Sequence, residues 1–299
     1  MPRLRCQLHA HTTNSDGDVS PAELCAHYAD AGFDVLAITD HWHVTDVEHD
    51  GLLVIPSSEL SAHAATPSGE AEALALGVSE LPERREPFPD IESMAAWIAG
   101  RGGVPVLCHP YWSGLRADDV VAAASFAAIE VWNGSAEVLQ GNGLSSALWD
   151  DVLQQGRLLP GVASDDCHTP GQDSRFGWTW VDAAERSAGA VLDALRNGRS
   201  YGSAGPRLHS VEPEADGVAV RCSPARSVRL RSGPWDGCAV NADPAAGDWR
   251  GEPLERDEDG LLRAARLERP EHWLWGRVEV EDAVGRRAWG NPLRFRDTA

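Results

Sequence analysis

The chain contains no lysine: its 26 basic residues are all arginine, against 46 acidic residues. The formal net charge of −20 argues against binding of long nucleic acids, because such binding needs a basic surface that displaces counterions. A small anionic substrate remains compatible with this balance if the field is locally positive. We therefore expect a small-molecule partner, and no pattern in the sequence predicts the oligomeric state.

Long apolar runs are absent as well. No stretch reaches the roughly 18–20 apolar residues that span a membrane, and the opening residues Met1–Gln7 contain no apolar signal core. The six cysteines show no paired C-x-x-C spacing, so we expect free thiols rather than disulfides or a thiolate metal site. These absences predict a cytoplasmic protein without membrane contact.

The 299 residues fall into two regions that differ in their pattern of apolar residues. Up to about residue 206, short apolar segments alternate with helical patterns, which indicates an α/β domain with a parallel sheet, either open or curled into a barrel. Beyond residue 207 the apolar residues alternate with period two between Asp-Gly and Val-Gly turns, which indicates a small antiparallel β-sandwich. We expect a domain at 1–206 and a second at 207–299.

Histidine and carboxylate residues follow the predicted strands of the first domain. His9 and His11 are two positions apart at the end of the first strand, so their side chains lie on one face. A lone His-x-His pair is a weak signal, and a lone strand-end histidine is more often structural. The set recurs at six places, however, and such residues are ligands for zinc, manganese or iron: His9, His11, Asp16, His41, Glu59, His109, Asp166 and His168.

These stretches resemble the polymerase and histidinol phosphatase (PHP) family of metal-dependent hydrolases. The matching segments cover residues 4–168 in the family's order: 8–11 with Asp16-Gly17, 38–41, 57–59, 108–110, 129–133 and 164–168. The resemblance implies a distorted (β/α)7 barrel, a variant of the TIM barrel, that holds two or three divalent ions. The segment 195–206 and the sandwich after it resemble a branch of the family that includes carbaryl hydrolases.

The resemblance also implies how the ions are shared. One ion would be held by His9, His11, Glu59 and Asp166, and a second by Asp16, His41 and His168. A third or bridging site would use Glu59 and His109. Many members have a further histidine before the Leu-Gly that Leu76-Gly77 matches, but this chain has Glu72 there. Glu72 is therefore a candidate ligand, and the choice between two and three ions stays open.

The expected reaction is hydrolysis by metal-activated water, most simply of a phosphoester on a small metabolite or nucleotide. A carboxylic ester, amide or carbamate is the alternative substrate, and a metal-stabilised binding protein is the non-enzymatic one. His168 is the candidate acid for the leaving group, and Asp40 would orient ligand imidazoles. Arg175 is either an anion clamp or a surface arginine.

Twelve tryptophans are present, and five fall near the predicted strand ends: Trp42, Trp112, Trp132, Trp178 and Trp180. They would form either an apolar wall for a substrate or packing between the two domains. The sequence does not separate these two interpretations.

Overall fold

The computed structural model describes residues 1–296 and divides the chain into two compact units. The first contains residues 1–149 and 159–202, and the second contains residues 150–158 and the segment that begins at Ser203. None of the helices within residues 1–296 is long and apolar enough to cross a membrane.

The first unit contains ten strands and six helices, the fifth of which runs into the second unit. The strands are β1 (Arg3–Gln7), β2 (Val35–Ile38), β3 (Leu53–Pro56), β4 (Glu59–His63), β5 (Glu70–Leu76), β6 (Val104–Leu107), β7 (Ala128–Asn133), β8 (Gly161–Ser164), β9 (Trp178–Asp182) and β10 (Ser200–Ser203). The helices are α1 (Pro21–Asp30), α2 (Ile91–Gly100), α3 (Ala117–Ala122), α4 (Gly134–Gln140), α5 (Ser146–Gln154) and α6 (Ala188–Arg196).

Two sheets form the first unit, in the orders β4-β5-β6-β7-β8 and β10-β9-β1-β2-β3. The predicted parallel pairs are present at β1/β2, β2/β3, β6/β7 and β7/β8. Both sheets are nevertheless mixed: β4 and β5 form an antiparallel hairpin through a turn with Gly69 at φ +82°, and β9 runs antiparallel to β1. A closed (β/α)7 barrel is therefore not found among the described strands, because no single ladder runs through them.

The core of the first unit lies between these strands and the helices. Apolar side chains from both sheets and from α6 are buried together, including Leu8, Val35, Val106, Val162 and Leu195. Helix α1 begins with a capping box: Ser20 accepts from the Glu23 N–H, and Glu23 accepts from the Ser20 N–H.

The second unit is antiparallel, as its period-two pattern predicted. Its strands are β11 (Leu208–Pro213), β12 (Gly217–Ala225), β13 (Ser227–Arg231), β14 (Gly237–Asn241), β15 (Gly251–Arg256), β16 (Leu262–Glu268), β17 (Trp275–Glu281), β18 (Arg287–Gly290) and β19 (Leu293–Arg294). They pair as β11-β12-β16-β15 and β14-β13-β17-β18, with β19 on β17. Its buried side chains include Val220, Leu230, Leu267 and Val280.

Candidate metal centre

The backbone brings together donors that are distant in sequence. His11 N–H donates to the Cys167 carbonyl at 2.8 Å, and Asp166 N–H donates to the His9 carbonyl at 3.0 Å. A second short pairing joins His41 to Glu59. These contacts place segments 9–11 and 166–168 side by side at the strand ends. The donors come from strands of both sheets of the first unit.

Four donors form the first group, with Glu59 and Asp166 at its centre. His9 Nε2 lies 3.1 Å from both Glu59 Oε2 and Asp166 Oδ1. His11 Nε2 lies 3.3 Å and 3.1 Å from the same two atoms. Ligands about 2.0–2.2 Å from one ion stand roughly 3.4 Å apart in a tetrahedron, so these separations fit an ion between them.

Asp16 is the centre of a second group. Its carboxylate lies 3.4 Å from His11 Nδ1, 3.6 Å from His41 Nε2 and 3.4 Å from His168 Nε2. The His168 Nδ1–H donates to the Asp166 carbonyl at 2.9 Å, which directs Nε2 toward Asp16. This group contains the three residues of the expected second site and adds His11.

Glu72 and His109 complete the set beside Glu59. His109 Nε2 lies 3.3 Å from Glu59 Oε1 and 3.6 Å from Glu72 Oε2, and His41 Nδ1 lies 3.8 Å from Glu72 Oε1. Cys108 is also near, but burial raises the pKa of its thiol well above the usual value, which disfavours a thiolate. We call the nine histidines and carboxylates the donor cluster: His9, His11, Asp16, His41, Glu59, Glu72, His109, Asp166 and His168.

The donor cluster fits divalent metal ions. Glu59 Oε1 is buried and accepts no hydrogen bond from any described residue, although it lies among ring nitrogens. Burial alone would lower the pKa of His11, but hydrogen bonds to Asp166 and Glu59 raise it to about 9. Burial likewise opposes the shift at His109, where the negative charge of the nearby Glu59 carboxylate raises the pKa to about 9. Protons on these rings balance the negative charge of the carboxylates, and bound divalent ions would replace those protons.

Among the four carboxylates of the donor cluster, Glu72 is the most easily protonated. Burial and the negative charge of Glu59 raise its pKa to about 7. A divalent ion would favour its charged form, since cations lower the pKa of nearby carboxyls.

Glu130 contacts the donor cluster, and the sequence did not predict it as a site residue. The His9 Nδ1–H donates to Glu130 Oε1 at 3.2 Å, and the His109 backbone N–H donates to Oε2 at 2.8 Å. Asn133 Nδ2 and the Ser164 hydroxyl also donate to it. A buried glutamate between Ile129 and Val131 was the available signal, because an unpaired charge inside a strand is costly.

Asp40 and Asp165 hold loops rather than imidazoles. Asp40 accepts from the Thr12 N–H and hydroxyl, and from the hydroxyls of Ser15 and Thr45. Its carboxylate is buried and does not line the cleft described below. Asp165 accepts from Tyr28, from Gln7 and from the backbone N–H groups of residues 175–177. The expected contact of Asp40 with a ligand imidazole is not present among the described hydrogen bonds.

A cleft of about 450 Å³ opens onto the donor cluster. It is lined by Asp16, His41, Glu59, Glu72, His109, Trp112, Ser135, Ala136, Leu139, Gln140, Asp166, His168, Thr169, Gln172 and Asp173. His168 therefore reaches it, and His9 and His11 lie beneath it. No arginine is among these residues. Arg175 is exposed at φ +68° and is not among the residues that line the cleft.

Of the five tryptophans near strand ends, only Trp112 lines this cleft. Trp42 stacks on Phe88, and Trp132 donates to the Phe176 carbonyl. Trp178 and Trp180 are buried.

Comparison with solved structures identifies similar folds at low sequence identity. A two-domain protein from Bacteroides vulgatus containing a predicted PHP-like metal-dependent phosphoesterase is 18% identical, with 98% of this chain and 95% of that chain covered and a TM-score of 0.52. A Bifidobacterium adolescentis protein described as a metal-dependent phosphoesterase is 17% identical, with 56% of this chain and 89% of that chain covered and a TM-score of 0.44. An Endonuclease Q in complex with a 27-mer duplex containing an abasic lesion is 12% identical over 66% and 57% (TM-score 0.44).

No family model and no curated protein sequence matches this chain. The first of these structures shows that the chain shares the fold of that Bacteroides vulgatus protein.

Proposed function

We propose that this protein is a metal-dependent hydrolase of the PHP type that cleaves phosphoesters of small molecules with two or three manganese, zinc or iron ions. The observation that carries the proposal is the position of Glu59. Three groups of neighbouring donors include its carboxylate: the first group, the group with Cys108 and His109, and the group with His41 and Glu72. Its Oε1 accepts no hydrogen bond from a described residue. A carboxylate with one free buried oxygen among several imidazoles suits a bridge between ions.

Divalent ions in this cluster would lower the pKa of water to near 7 and polarise an ester. The chain's own residues fix the geometry. Glu130 accepts from His9 Nδ1 and so turns Nε2 toward Glu59 and Asp166. The Asp166 carbonyl fixes His168 in the same way. His168 also lines the cleft, and its role as acid for the leaving group stays a prediction.

The charge of the cleft bears on the choice of substrate. Three divalent ions would outweigh the four carboxylates of the donor cluster and attract a phosphate dianion. Two ions would only balance them, and no arginine of the cleft lining adds positive charge. A neutral carboxylic ester or carbamate is then the second candidate substrate. Glu72, in the position of a histidine in the resembled family, is the observation that favours it.

Metal analysis beside a substrate screen tests the proposal. The purified protein would be analysed for bound metals and assayed with phosphomonoesters, phosphodiesters, aryl carbamates and duplex DNA with an abasic site. We expect phosphomonoester hydrolysis that is lost in Glu59→Gln and retained in Glu70→Gln, an exposed position of the same hairpin. Two bound ions with carbamate turnover alone would support the second candidate. Cleavage of the DNA alone would contradict the expectation of a small substrate.

The second unit has no assigned chemistry. We propose that residues 1–206 form the catalytic domain and residues 207–299 an accessory domain. If the protein binds metal but cleaves no ester in the screen, the result would support a metal-stabilised binding protein.

A further inference from the structure

One side of the cleft is apolar. Trp112 and Leu139 line it with side chains that are 42% and 67% exposed, and Ala136 lies between polar neighbours on the same helix as Leu139. Large apolar side chains exposed together beside a polar site indicate a contact surface for a ligand.

The Trp112 ring is held in place from two sides. Its Nε1–H donates to Gln140 Oε1 at 2.6 Å, so its polar group is already satisfied. Its ring meets the His109 ring edge to face, with centroids 5.0 Å apart. The indole is therefore oriented before any ligand binds, and a ligand that contacts it meets carbon surface.

The helix that carries Leu139 is tied to the donor cluster. Asn133 caps α4 by accepting from the Ala136 N–H at 2.9 Å, and its Nδ2 donates to Glu130 at 2.9 Å and to Asp166 at 3.0 Å. The apolar side of the cleft is thus fixed relative to the donors by one hydrogen-bonded residue.

We propose that Trp112, Leu139 and Ala136 form a subsite for a planar ring in the substrate's leaving group. The inference rests on the proposed function and makes its substrate class narrower: phosphate esters that carry an aryl ring or a nucleobase. Three features support it. The indole offers a flat, oriented surface, the ring contact with His109 puts that surface next to Glu59 and Glu72, and the cleft lining has no arginine for a second anionic group.

Matched esters separate a planar ring from apolar bulk. Benzyl phosphate and cyclohexylmethyl phosphate are similar in size and are both esters of primary alcohols, but only the first has a flat π-face. Nucleoside 5′-monophosphate and ribose 5-phosphate form a second pair, which differs only in the base. We expect a lower KM for the ring-bearing member of at least one pair, and the pair that responds identifies the source of the ring.

Trp112→Leu keeps apolar bulk but removes the plane, and Trp112→Phe keeps a ring. For the responding ester we expect the leucine variant to raise KM by about 5- to 150-fold with kcat nearly unchanged, the size expected for one stacked ring. The phenylalanine variant should recover most of that loss. Trp249→Leu, at an exposed tryptophan of the second unit, is the control and should leave KM unchanged.

Binding without turnover provides an independent measurement. Benzylphosphonate and cyclohexylmethylphosphonate, which resist hydrolysis, would be titrated calorimetrically into the metal-loaded protein and into Trp112→Leu. Equal KM values within both ester pairs would overturn the ring subsite. Where the benzyl pair is the one that responds, equal phosphonate affinities in the wild type, or equal losses for both ligands in the variant, would overturn it as well. If the wild type cleaves no phosphate ester, the proposed function fails, and the ratio of the two phosphonate affinities alone decides the subsite.

Discussion

Replacing Glu59 with glutamine in the metal-free protein tests the electrostatics of the donor cluster directly. The change keeps the side chain's shape and removes one negative charge at a residue that is 1% exposed. That carboxylate lies within 3.5 Å of ring nitrogens on four histidines, which are His9, His11, His41 and His109. The amide cannot balance a protonated ring, so the substitution leaves buried positive charge without its partner.

The expected cost is large for a single substitution. Breaking a buried ion pair by removing one partner costs about 3–5 kcal/mol. For a unit of this size, 1 kcal/mol corresponds to roughly 2–4 °C in Tm, so the Tm should fall by about 6–20 °C.

The loss should depend on pH with a definite sign. The pKa values of His11 and His109 are raised to about 9 in the folded protein, above the roughly 6.5 of an unfolded histidine. Stability from their pairing with Glu59 is therefore fully present below about pH 6.5 and is lost as the pH rises through about 9. The difference between wild type and Glu59→Gln should be greatest near pH 6 and small near pH 10.

Thermal unfolding followed by circular dichroism, after treatment with a chelator, measures this difference at pH 6, 8 and 10. Glu70→Gln controls for loss of a carboxylate at an exposed site of the β4–β5 hairpin. Equal Tm values for wild type and Glu59→Gln at pH 6 would refute the reasoning. A difference of the same size at pH 10 would also refute it, because the histidines are then neutral.

Three further substitutions test individual placements. Glu130→Gln weakens the orientation of His9 and should lower metal affinity by about 10- to 100-fold in a metal titration, with little change expected if Glu130 only packs. Glu72→His should raise the metal content measured by elemental analysis from two ions to three and favour phosphate over carbamate esters, and unchanged content would show that residue 72 does not set the number of ions. Arg175→Ala should leave kcat/KM within about twofold, because Arg175 does not line the cleft, whereas a larger loss would support its role as an anion clamp.

Much of the donor cluster could be predicted from the sequence because its members sit at regular places. Most of them follow an apolar segment with strand character, and parallel strands bring their carboxyl ends to a common edge. Glu72 is an exception, because it lies within the antiparallel strand β5. The helix cap at Ser20 and the antiparallel second unit were also predictable, because capping and period-two alternation are local properties.

Side-chain direction was not predictable in this way. Asp40 and Arg175 each stand near proposed metal ligands in the sequence, but the Asp40 carboxylate accepts from Thr12 and Arg175 does not line the cleft. Glu130 is the converse case, since only the three-dimensional arrangement shows that its carboxylate accepts from His9. Spacing along a chain determines which residues can meet, but not which of several nearby partners a long side chain selects.

The sequence by itself determined the types of donor and their order. It also determined that strands and helices alternate in the first unit and that the second unit is rich in strands. Only the tertiary structure decided that β4 and β5 form an antiparallel hairpin, that Glu59 is common to three donor groups, and that Trp112 borders the cleft. The physical reason is the distance along the chain over which each interaction acts. Periodicity and capping act over a few residues, whereas the pairing of 9–11 with 166–168 joins segments more than 150 residues apart and depends on the packing of the whole unit.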